Sequence, residues 1–192
     1  MISKTVGFAL TGSFCTFEPV LAAMKALSLQ YETVVPILSF AAGSTDSRFG
    51  AAADFRTRIE TICGRPALDS LAAVEPIGPK KRLDLLVVAP CTGNTLAKLA
   101  AGIADTPVTL ACKAQLRNAR PILLAVSTND GLAANAASIG SLLARRHLYF
   151  VPFGQDNAEQ KPTSLVADMS QIPEAAAAAL RGEQLQPILL RQ

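Results

Sequence analysis

Residues 83–98, LDLLVVAPCTGNTLAK, decide the fold. The nearly continuous Leu and Val of residues 83–89 are typical of a strand that is covered on both faces, and Pro90 ends that strand. Beyond the turn, apolar side chains recur at helical spacing from position 96 to position 103, and Asn94 is the expected cap of this helix. The stretch therefore predicts a buried strand, a polar turn and an amphipathic helix.

The same unit recurs along the chain in both directions from this stretch. Further strands are predicted at residues 5–10, 32–38, 121–126 and, as the last short strand, 149–151. Residues 39–50 and 152–164 are polar and predict loops, and an alanine-rich helix at 173–180 closes the chain. Pro36 removes one ladder donor and indicates an edge strand. Strands that alternate with helices predict an α/β fold in which helices cover both faces of a parallel sheet.

Composition excludes several classes of protein. The chain has 192 residues, a formal charge of +3, 17% charged residues and a mean hydropathy of +0.31. This charge is too small for a nucleic-acid footprint, and no apolar run reaches the roughly 18 residues of a membrane span. We find no linker, repeat or export signal, so we expect one domain over residues 1–192 in the cytoplasm.

Metal and disulfide sites are not expected. Cys15, Cys63, Cys91 and Cys112 are scattered without a CxxC pair, and His147 is the one histidine of the chain. The polar loops also lack a carboxylate cluster that would suit magnesium. A reducing compartment fits this pattern.

Ligands of open parallel sheets bind beyond the carboxyl ends of the strands, so the loops that follow strands are the candidate sites. Gly12 and Ser13 stand between a strand and a helix, where free backbone N–H groups favour an anion such as phosphate. An ordinary tight turn is the alternative. A P-loop is excluded because Ser13 stands where that motif needs lysine, and the chain contains no GxGxxG sequence.

The turn after residues 83–89 carries hydroxyl and amide groups on Thr92, Asn94 and Thr95, and Gly93 permits close backbone approach. Helix capping alone would also explain Asn94. A small, neutral, polar rim suits a flat heteroaromatic ligand with one phosphate better than a metal or a triphosphate.

These motifs resemble a known superfamily. GS at 12–13, then APCTGNTLAK at 89–98 and GIAD at 102–105, are similar to the homo-oligomeric flavin-containing cysteine decarboxylases, in which the second motif reads Pro-Ala-Ser-Ala-Asn-Thr. Further motifs resemble one branch, the B-subunit family of dipicolinate synthases: LTGS at 10–13, SRFG at 47–50, RNARP at 117–121, STND at 127–130, PFGQD at 152–156 and KPTSLVA at 161–167. The ordered set spans nearly the whole chain.

The resemblance implies a three-layer, Rossmann-like (flavodoxin-like) fold that binds FMN. It places the phosphate at the loop after the first strand and at Ser39, and the flavin ring near residues 90–95. The predicted cofactor-binding residues are Thr11, Gly12, Ser13, Phe14, Ser39, Pro90, Cys91, Thr92, Gly93, Asn94, Thr95, Ser127, Thr128 and Asn129. For Cys91, a small buried filler is a better interpretation than a redox thiol, because no cation adjoins it in the sequence.

The resemblance also implies an activity. The decarboxylases use a histidine after the second strand and a Pro-x-Met-Asn motif, and this chain has neither, since STND stands at 127–130. The branch instead implies an oxidoreductase subunit that dehydrogenates dihydrodipicolinate to dipicolinate during bacterial sporulation, with an A subunit that binds NAD(P). Such a dicarboxylate substrate needs cations, and the candidates are Arg48, Lys98, Arg117 and Lys161. For each of them a solvated surface charge is the commoner case.

No catalytic residue is assigned, and two alternatives to a direct role in dehydrogenation stay open. The chain could be a non-catalytic partner that completes the A-subunit site, or a flavin-dependent decarboxylase-like protein. The low charged fraction and the small-residue helix near residues 96–103 indicate self-association. By resemblance, the expected homo-oligomer is a trimer or a multiple of three.

Overall fold

The computed structural model describes residues 1–190. In this part of the chain one sheet contains the strands β1 (Ile2–Leu10), β2 (Tyr31–Leu38), β3 (Leu85–Cys91), β4 (Ile122–Thr128), β5 (Leu148–Phe150), β6 (Phe153–Asn157) and β7 (Lys161–Ala167). The helices are α1 (Phe17–Gln30), α2 (Phe40–Ser44), α3 (Ala52–Cys63), α4 (Leu71–Val74), α5 (Gly93–Ala101), α6 (Pro107–Arg117), α7 (Ala136–Leu143) and α8 (Ile172–Leu180). Short 3₁₀ turns occupy Phe14–Thr16, Glu75–Ile77 and Met169–Gln171.

The sheet has the strand order β2-β1-β3-β4-β7-β6, and β5 pairs with the first half of β4. Strands β1 to β5 are parallel to one another. Their order, β2-β1-β3-β4-β5, is that of flavodoxin-like sheets, so the predicted fold class is confirmed. β2 is the outer strand beside β1, which suits Pro36 because proline has no N–H for a second neighbouring strand.

At the other edge of the sheet the structure differs from the sequence prediction. Residues 152–164 were expected to be a loop, but β6 and β7 form an antiparallel hairpin, and β7 pairs antiparallel with Ser127 and Thr128 of β4. The hairpin buries Leu165 and Ala167 and leaves most of its polar side chains at the surface. Because so few apolar residues mark this hairpin, the sequence pattern missed it. The sheet is therefore mixed rather than wholly parallel.

Three local predictions are also wrong. Asn94 lies inside α5, whose cap position is Thr92, so the turn between β3 and its helix is shorter than expected. Residues 39–50 contain the helix α2, because the Ser39 hydroxyl accepts a hydrogen bond from the Ala42 N–H and starts it. β5 is followed by two further strands and is not the last one.

The central strands hold the core. All seven residues of β3 are buried, as predicted for a strand covered on both faces. α1 and α8 contact each other and β3. α6 contacts β3 and β4 together with α4 and α5, and because right-handed crossovers leave β1 and β3 in opposite directions, these helices cover the other face. No helix among residues 1–190 is long and apolar enough to cross a membrane.

Candidate functional site

A polar cleft lies at the carboxyl ends of β1, β3 and β4. The chain leaves β1 toward β2 and leaves β3 toward β4, so the strand order reverses between β1 and β3, and a crevice opens at such a point. The cleft encloses about 700 Å³, within the range of small-molecule sites. Its lining residues are Gly12, Ser13, Phe14, Cys15, Thr16, Ser47, Arg48, Phe49, Thr92, Gly93, Asn94, Ser127, Thr128, Asn129, Asp130, Asp156, Lys161, Ser164, Leu165 and Val166.

The buried side chain of Thr11 links the loops that follow β1 and β3 underneath the cleft. Its hydroxyl donates to the carbonyl oxygen of Pro90 at 2.6 Å and accepts from the N–H of Thr92 at 3.0 Å. Thr11 is only 2% exposed, so these two hydrogen bonds are shielded from water. The loops after β1 and β3 are thereby held at a fixed separation, and Thr11 supports the floor rather than facing the cleft.

Ser13 and Ser127 connect the loops after β1 and β4. Their hydroxyl oxygens are 2.8 Å apart, and either can be the donor. A pair of hydroxyls uses one proton between the two oxygens, so the second hydroxyl keeps its proton for another acceptor. Both residues line the cleft, so this proton can be donated to a ligand.

A carboxylate lies over the first turn of α5. Asp130 accepts hydrogen bonds from the Thr128 hydroxyl and, at 2.8 Å, from the side-chain amide of Asn135. The Thr128 hydroxyl bond lowers the pKa of Asp130 below its ordinary value, against a smaller opposing effect of burial. A Cβ atom at Gly93 would lie 2.5–2.7 Å from polar atoms of all three side chains. Glycine is therefore the residue that this network accommodates.

The second wall presents a cation and an aromatic ring on a tight turn. Ser47 and Gly50 exchange two backbone hydrogen bonds of 3.0 and 3.1 Å, and the two residues between them are Arg48 and Phe49. The Arg48 guanidinium lies 4.9 Å from the centre of the Phe49 ring. Both side chains are exposed and line the cleft.

The hairpin supplies the cleft with a further cation, Lys161, which is paired. Its ammonium lies 2.6 Å from a carboxylate oxygen of Asp156 across the hairpin. This hydrogen bond raises the pKa of Lys161 above its ordinary value. Lys161 and Asp156 thus bring no net charge to the cleft.

The structure brings many of the predicted site residues together and leaves others outside. The predicted residues that line the cleft are Gly12, Ser13, Phe14, Thr92, Gly93, Asn94, Ser127, Thr128, Asn129, Arg48 and Lys161. Those that do not line it are Thr11, Ser39, Pro90, Cys91, Thr95, Lys98 and Arg117. Thr95 is buried and its hydroxyl lies 3.1 Å from that of Thr92, so it belongs to the supporting layer.

Cys91 and Ser39 also belong to the supporting structure. Cys91 is fully buried, and burial raises the pKa of its thiol well above the ordinary value, which confirms the small-filler interpretation. The Ser39 hydroxyl accepts the bond that caps α2, and the residue is 9% exposed. Its own proton is not used in that bond and Ser39 does not line the cleft, so the phosphate role implied for it stays a prediction.

Two of the predicted substrate cations lie elsewhere. Lys98 forms bonds of 2.7 and 2.8 Å to both carboxylate oxygens of Asp105. Arg117 ends α6 at the opposite end of the sheet, where a Cβ at Gly78 would lie 3.4 Å from its guanidinium. α6 leads back to the amino end of β4, so its last residue lies away from the cleft at the carboxyl ends of the strands.

Several lining residues were missed from the sequence. They are Cys15, Thr16, Ser47, Phe49, Asp130, Asp156, Ser164, Leu165 and Val166. Asp130 adjoins the predicted Ser127–Asn129 segment and could have been included from its position alone. The hairpin residues lie in or beside a segment that was interpreted as a loop, and from its two motifs only Lys161 was selected as a site residue.

The sheet is flavodoxin-like, and a cleft lined by hydroxyl and amide groups opens where the strand order reverses. These features are typical of flavoprotein domains that bind a flavin nucleotide, and we assign the chain to this class. A model of the family described as Flavoprotein matches residues 3–160, and the chain belongs to that family.

Its relatives are more specific. The chain is 44% identical over 187 residues, 97% of its length and 94% of the relative's, to the B subunit of dipicolinate synthase from Bacillus subtilis (strain 168). The crystal structure of the B subunit of dipicolinate synthase from Bacillus halodurans is also 44% identical, with a TM-score of 0.90 over 98% of this chain and 97% of that one. These relatives confirm the resemblance found in the motifs.

More distant structures share the fold alone. DmrB of Burkholderia xenovorans, solved in complex with FMN, is 19% identical and has a TM-score of 0.69 over 94% of this chain and 97% of that one. The FMN-dependent cysteine decarboxylase TvaF is 21% identical, with a TM-score of 0.66 over 93% of this chain and 98% of that one.

Proposed function

We propose that this chain acts as the B subunit of a dipicolinate synthase and takes part in the dehydrogenation of dihydrodipicolinate to dipicolinate. The observation that carries the proposal is the 44% identity to a dipicolinate synthase B subunit over 97% of the chain, a span that includes every segment of the cleft. Identity over the full length supports a shared activity more strongly than a shared fold does, because folds are reused for many chemistries.

The cleft fits an FMN-type cofactor. Its volume suits a ligand of that size, its rim is made of hydroxyl and amide groups, and the Ser13–Ser127 pair retains a proton for a phosphate or ring oxygen. The Asp156 carboxylate is paired with Lys161, whereas Asp130 is bonded by the neutral Thr128 and Asn135 side chains and keeps its negative charge. Residues of the loops after β1, β3 and β4 would hold the group.

A flavin, when bound, supplies a reversible acceptor of two electrons. This chain's own contribution is binding and orientation. The Thr11 bonds fix the loops after β1 and β3, and the Asp130 network fixes the first turn of α5, so the cleft is organised before a ligand enters. Organisation of this kind lowers the entropic cost of bringing a ring and an acceptor together.

The reaction balances with a nicotinamide acceptor on the A subunit. One ring C–H bond breaks and its electron pair leaves with the hydrogen as hydride to the oxidised nicotinamide. A proton leaves the ring to solvent, and the ring becomes aromatic. Aromatisation makes the reaction favourable, so a site with few titratable side chains suffices, and the cleft has few.

Association with other chains is part of the proposal. An A subunit that binds NAD(P) would be the partner, and both would work in the cytoplasm, where the free thiols of the chain stay reduced. Large apolar side chains are exposed among the described residues at Leu29, Phe40, Phe49, Leu71, Ile103, Leu132, Leu143 and Leu189. Exposure of this extent supports self-association, and we expect a trimer or a multiple of three. A monomeric mass by light scattering at micromolar concentration would contradict that expectation.

Reconstitution tests the proposed activity. The purified chain is mixed with a dipicolinate synthase A subunit, freshly generated dihydrodipicolinate and oxidised nicotinamide cofactor, and dipicolinate is measured by its absorbance. We expect product only when both subunits are present. An equal rate from the A subunit alone would contradict a role of this chain in the reaction.

The spectrum of the purified chain separates a direct role from a supporting one. Flavin absorbance, or uptake of added FMN, supports direct participation through the cleft. A colourless chain that takes up no FMN but still activates the A subunit supports the second candidate, a non-catalytic partner that completes the A-subunit site. The observation that favours this candidate is that Ser39, which the flavin resemblance assigns to the phosphate, does not line the cleft.

A further inference from the structure

We propose that the Arg48–Phe49 turn is the recognition element for the planar dicarboxylate substrate, with Arg48 pairing with a ring carboxylate and Phe49 stacking on the ring. This inference rests on the proposed function and adds to it the residues that select the substrate. It concerns the wall of the cleft opposite the loops after β3 and β4.

The charge balance of the cleft points to Arg48. Lys161 is neutralised by Asp156, whereas Asp130 keeps its negative charge in hydrogen bonds from the neutral Thr128 and Asn135 side chains. Within residues 1–190, Arg48 has no ion pair, and its guanidinium contacts the Phe49 ring instead. It is therefore the cation of the cleft that can pair with an incoming carboxylate without breaking an existing ion pair. A guanidinium also offers two parallel N–H groups, which match the two oxygens of a carboxylate.

Phe49 presents a ring where a planar ligand can reach it. It is 46% exposed although it lines the cleft, and apart from the Arg48 guanidinium over its ring it offers an open apolar surface. Aromatic rings stack with an offset on other planar rings. Arg48 over Phe49 thus combines an anion partner with a flat apolar face in two adjacent residues.

The turn is rigid enough to select a ligand. Two backbone bonds close it, and the Ser47 hydroxyl accepts a further bond from the Phe49 N–H at 3.2 Å. Asp46 accepts from the Ala52 N–H at 2.8 Å and anchors the turn to α3. Gly50 has φ +146°, and a Cβ there would lie 2.9 Å from the Phe55 ring, so the turn is also packed from behind. Side chains on a fixed turn lose less entropy on binding than side chains on a mobile loop.

The test compares four variants in the reconstituted reaction: Arg48→Gln, Arg48→Lys, Phe49→Leu and Phe49→Tyr. Loss of the charge-assisted bonds in Arg48→Gln should raise KM for dihydrodipicolinate about 10- to 100-fold. Loss of the ring in Phe49→Leu should raise it about 3- to 10-fold. Phe49→Tyr, which keeps a ring, should raise KM less than Phe49→Leu does, and Arg48→Lys should give a KM between those of wild type and Arg48→Gln because it keeps the charge but not the two parallel N–H groups.

The kinetic pattern distinguishes recognition from damage to the fold. We expect kcat to change less than about twofold in every variant, because the lost contacts are equal in the bound substrate and the transition state. The controls are Arg65→Gln and Phe40→Leu, an exposed arginine and an exposed phenylalanine outside the cleft, and both should leave KM unchanged. Calorimetry with pyridine-2,6-dicarboxylate should show the same loss in affinity for product.

A cofactor phosphate is another anion that Arg48 could bind. The affinities of the variants for FMN, which carries a phosphate, and for riboflavin, which does not, distinguish this role from substrate binding. Our inference requires that Arg48→Gln leave the affinity for both unchanged. A weaker affinity for FMN but not for riboflavin overturns it and assigns Arg48 to the phosphate. Wild-type KM in all four variants, with an active wild-type complex, overturns the inference and leaves the proposed function intact. If the wild-type complex is inactive, the result contradicts both the proposed function and this inference.

Discussion

The two ends of the sheet both carry polar side chains but use them differently. At the amino end, Asp84 accepts from the N–H of Thr5 at 2.9 Å and from Lys4 at 3.3 Å, and Arg120 donates to the carbonyl oxygen of Leu83. At the carboxyl end, hydroxyls bond other side chains, as in Ser13 with Ser127. The polar groups of the amino end connect strand ends and loops that are distant in the chain, whereas those of the carboxyl end surround an open volume.

This difference shows that polar residues alone do not indicate a site. Buried or half-buried polar groups must find partners, and those of the amino end find them in backbone groups and charged side chains of neighbouring segments. At the carboxyl end the backbone of three parallel strands stops at one level, and the side chains that follow bond one another around the space left between the loops. We therefore expect ligand chemistry at the carboxyl end and structural support at the amino end.

The largest effect is expected from Gly93→Ala, which tests the rigidity of the carboxyl end. The new Cβ would overlap polar atoms of Asn135, Thr128 and Asp130, so the network must shift, and we expect a loss of about 2–4 kcal/mol in the free energy of unfolding. Urea unfolding measures it. Gly140→Ala is the matched control, because nothing lies within 4 Å of its Cβ, and it should stabilise α7 by about 0.5–1 kcal/mol. Equal effects of the two changes would contradict the proposed packing.

Ser13→Arg tests which end binds the cofactor. The long side chain would fill the cleft and remove the Ser13–Ser127 bond, so we expect FMN affinity to fall at least tenfold, or about 1.4 kcal/mol. A fluorescence titration of flavin measures it. Ser3→Arg is the control at the amino end, where Ser3 donates to Glu32 at the surface, and it should leave the titration unchanged. If Ser13→Arg keeps the wild-type affinity for FMN, the loop after β1 is not part of the cofactor site.

Asp130→Asn and Asp168→Asn compare a carboxylate from each end. The bond from the Thr128 hydroxyl lowers the pKa of Asp130, and the bond from the Ser170 hydroxyl lowers the pKa of Asp168. A folded-state pKa below the unfolded value gives stability that is present above the unfolded pKa of about 3.9 and is lost as the pH falls through the folded pKa. Each variant should therefore be about 1–2 kcal/mol less stable than wild type at pH 7, and the difference should shrink below about pH 4.

Ligand binding separates the two carboxylates. Asp130→Asn should also weaken FMN affinity, because Asp130 fixes the first turn of α5, whereas Asp168→Asn should affect unfolding alone. Unfolding curves at pH 7 and pH 3.5, together with a flavin titration of each variant, test this. A stability difference that grows toward low pH would contradict the assigned direction of the pKa shifts.

The smallest effect is expected from Arg117→Gln. Arg117 was predicted from its motif to bind substrate, but it lies beside Gly78 at the amino end. We expect the KM for dihydrodipicolinate to stay at the wild-type value in the reconstituted reaction. A raised KM would show that the amino end contributes to the substrate site and would remove the distinction between the two ends.

The parallel part of the fold was predictable from the sequence because its strands are continuous apolar runs. β3 and β4 contain so many Leu and Val residues that periodicity identifies them, and the polar residues after each strand mark the cleft. Ser13, Thr92 and Ser127 were found in this way and lie together in the structure. Position after a strand was therefore a reliable guide to this part of the cleft.

The remainder could not be read from local pattern. The β6–β7 hairpin lies at an edge and carries Pro162 and mostly polar side chains, so its strands resemble a loop in sequence. Thr11 and Thr95 have the residue type of a binding site, and only the contacts with Pro90 and Thr92 show that they support it. Phe49 has the residue type of a core position, and only its exposure in the cleft indicates a ligand contact.

Hydrogen–deuterium exchange of the full chain, alone and with saturating FMN and pyridine-2,6-dicarboxylate, tests the central claim most directly. The claim that ligands bind at the carboxyl end predicts slower exchange in residues 11–16, 47–50 and 127–131, with no change in residues 78–84 and 167–174. Protection confined to the two amino-end segments, or no protection in either set at saturation, would contradict it.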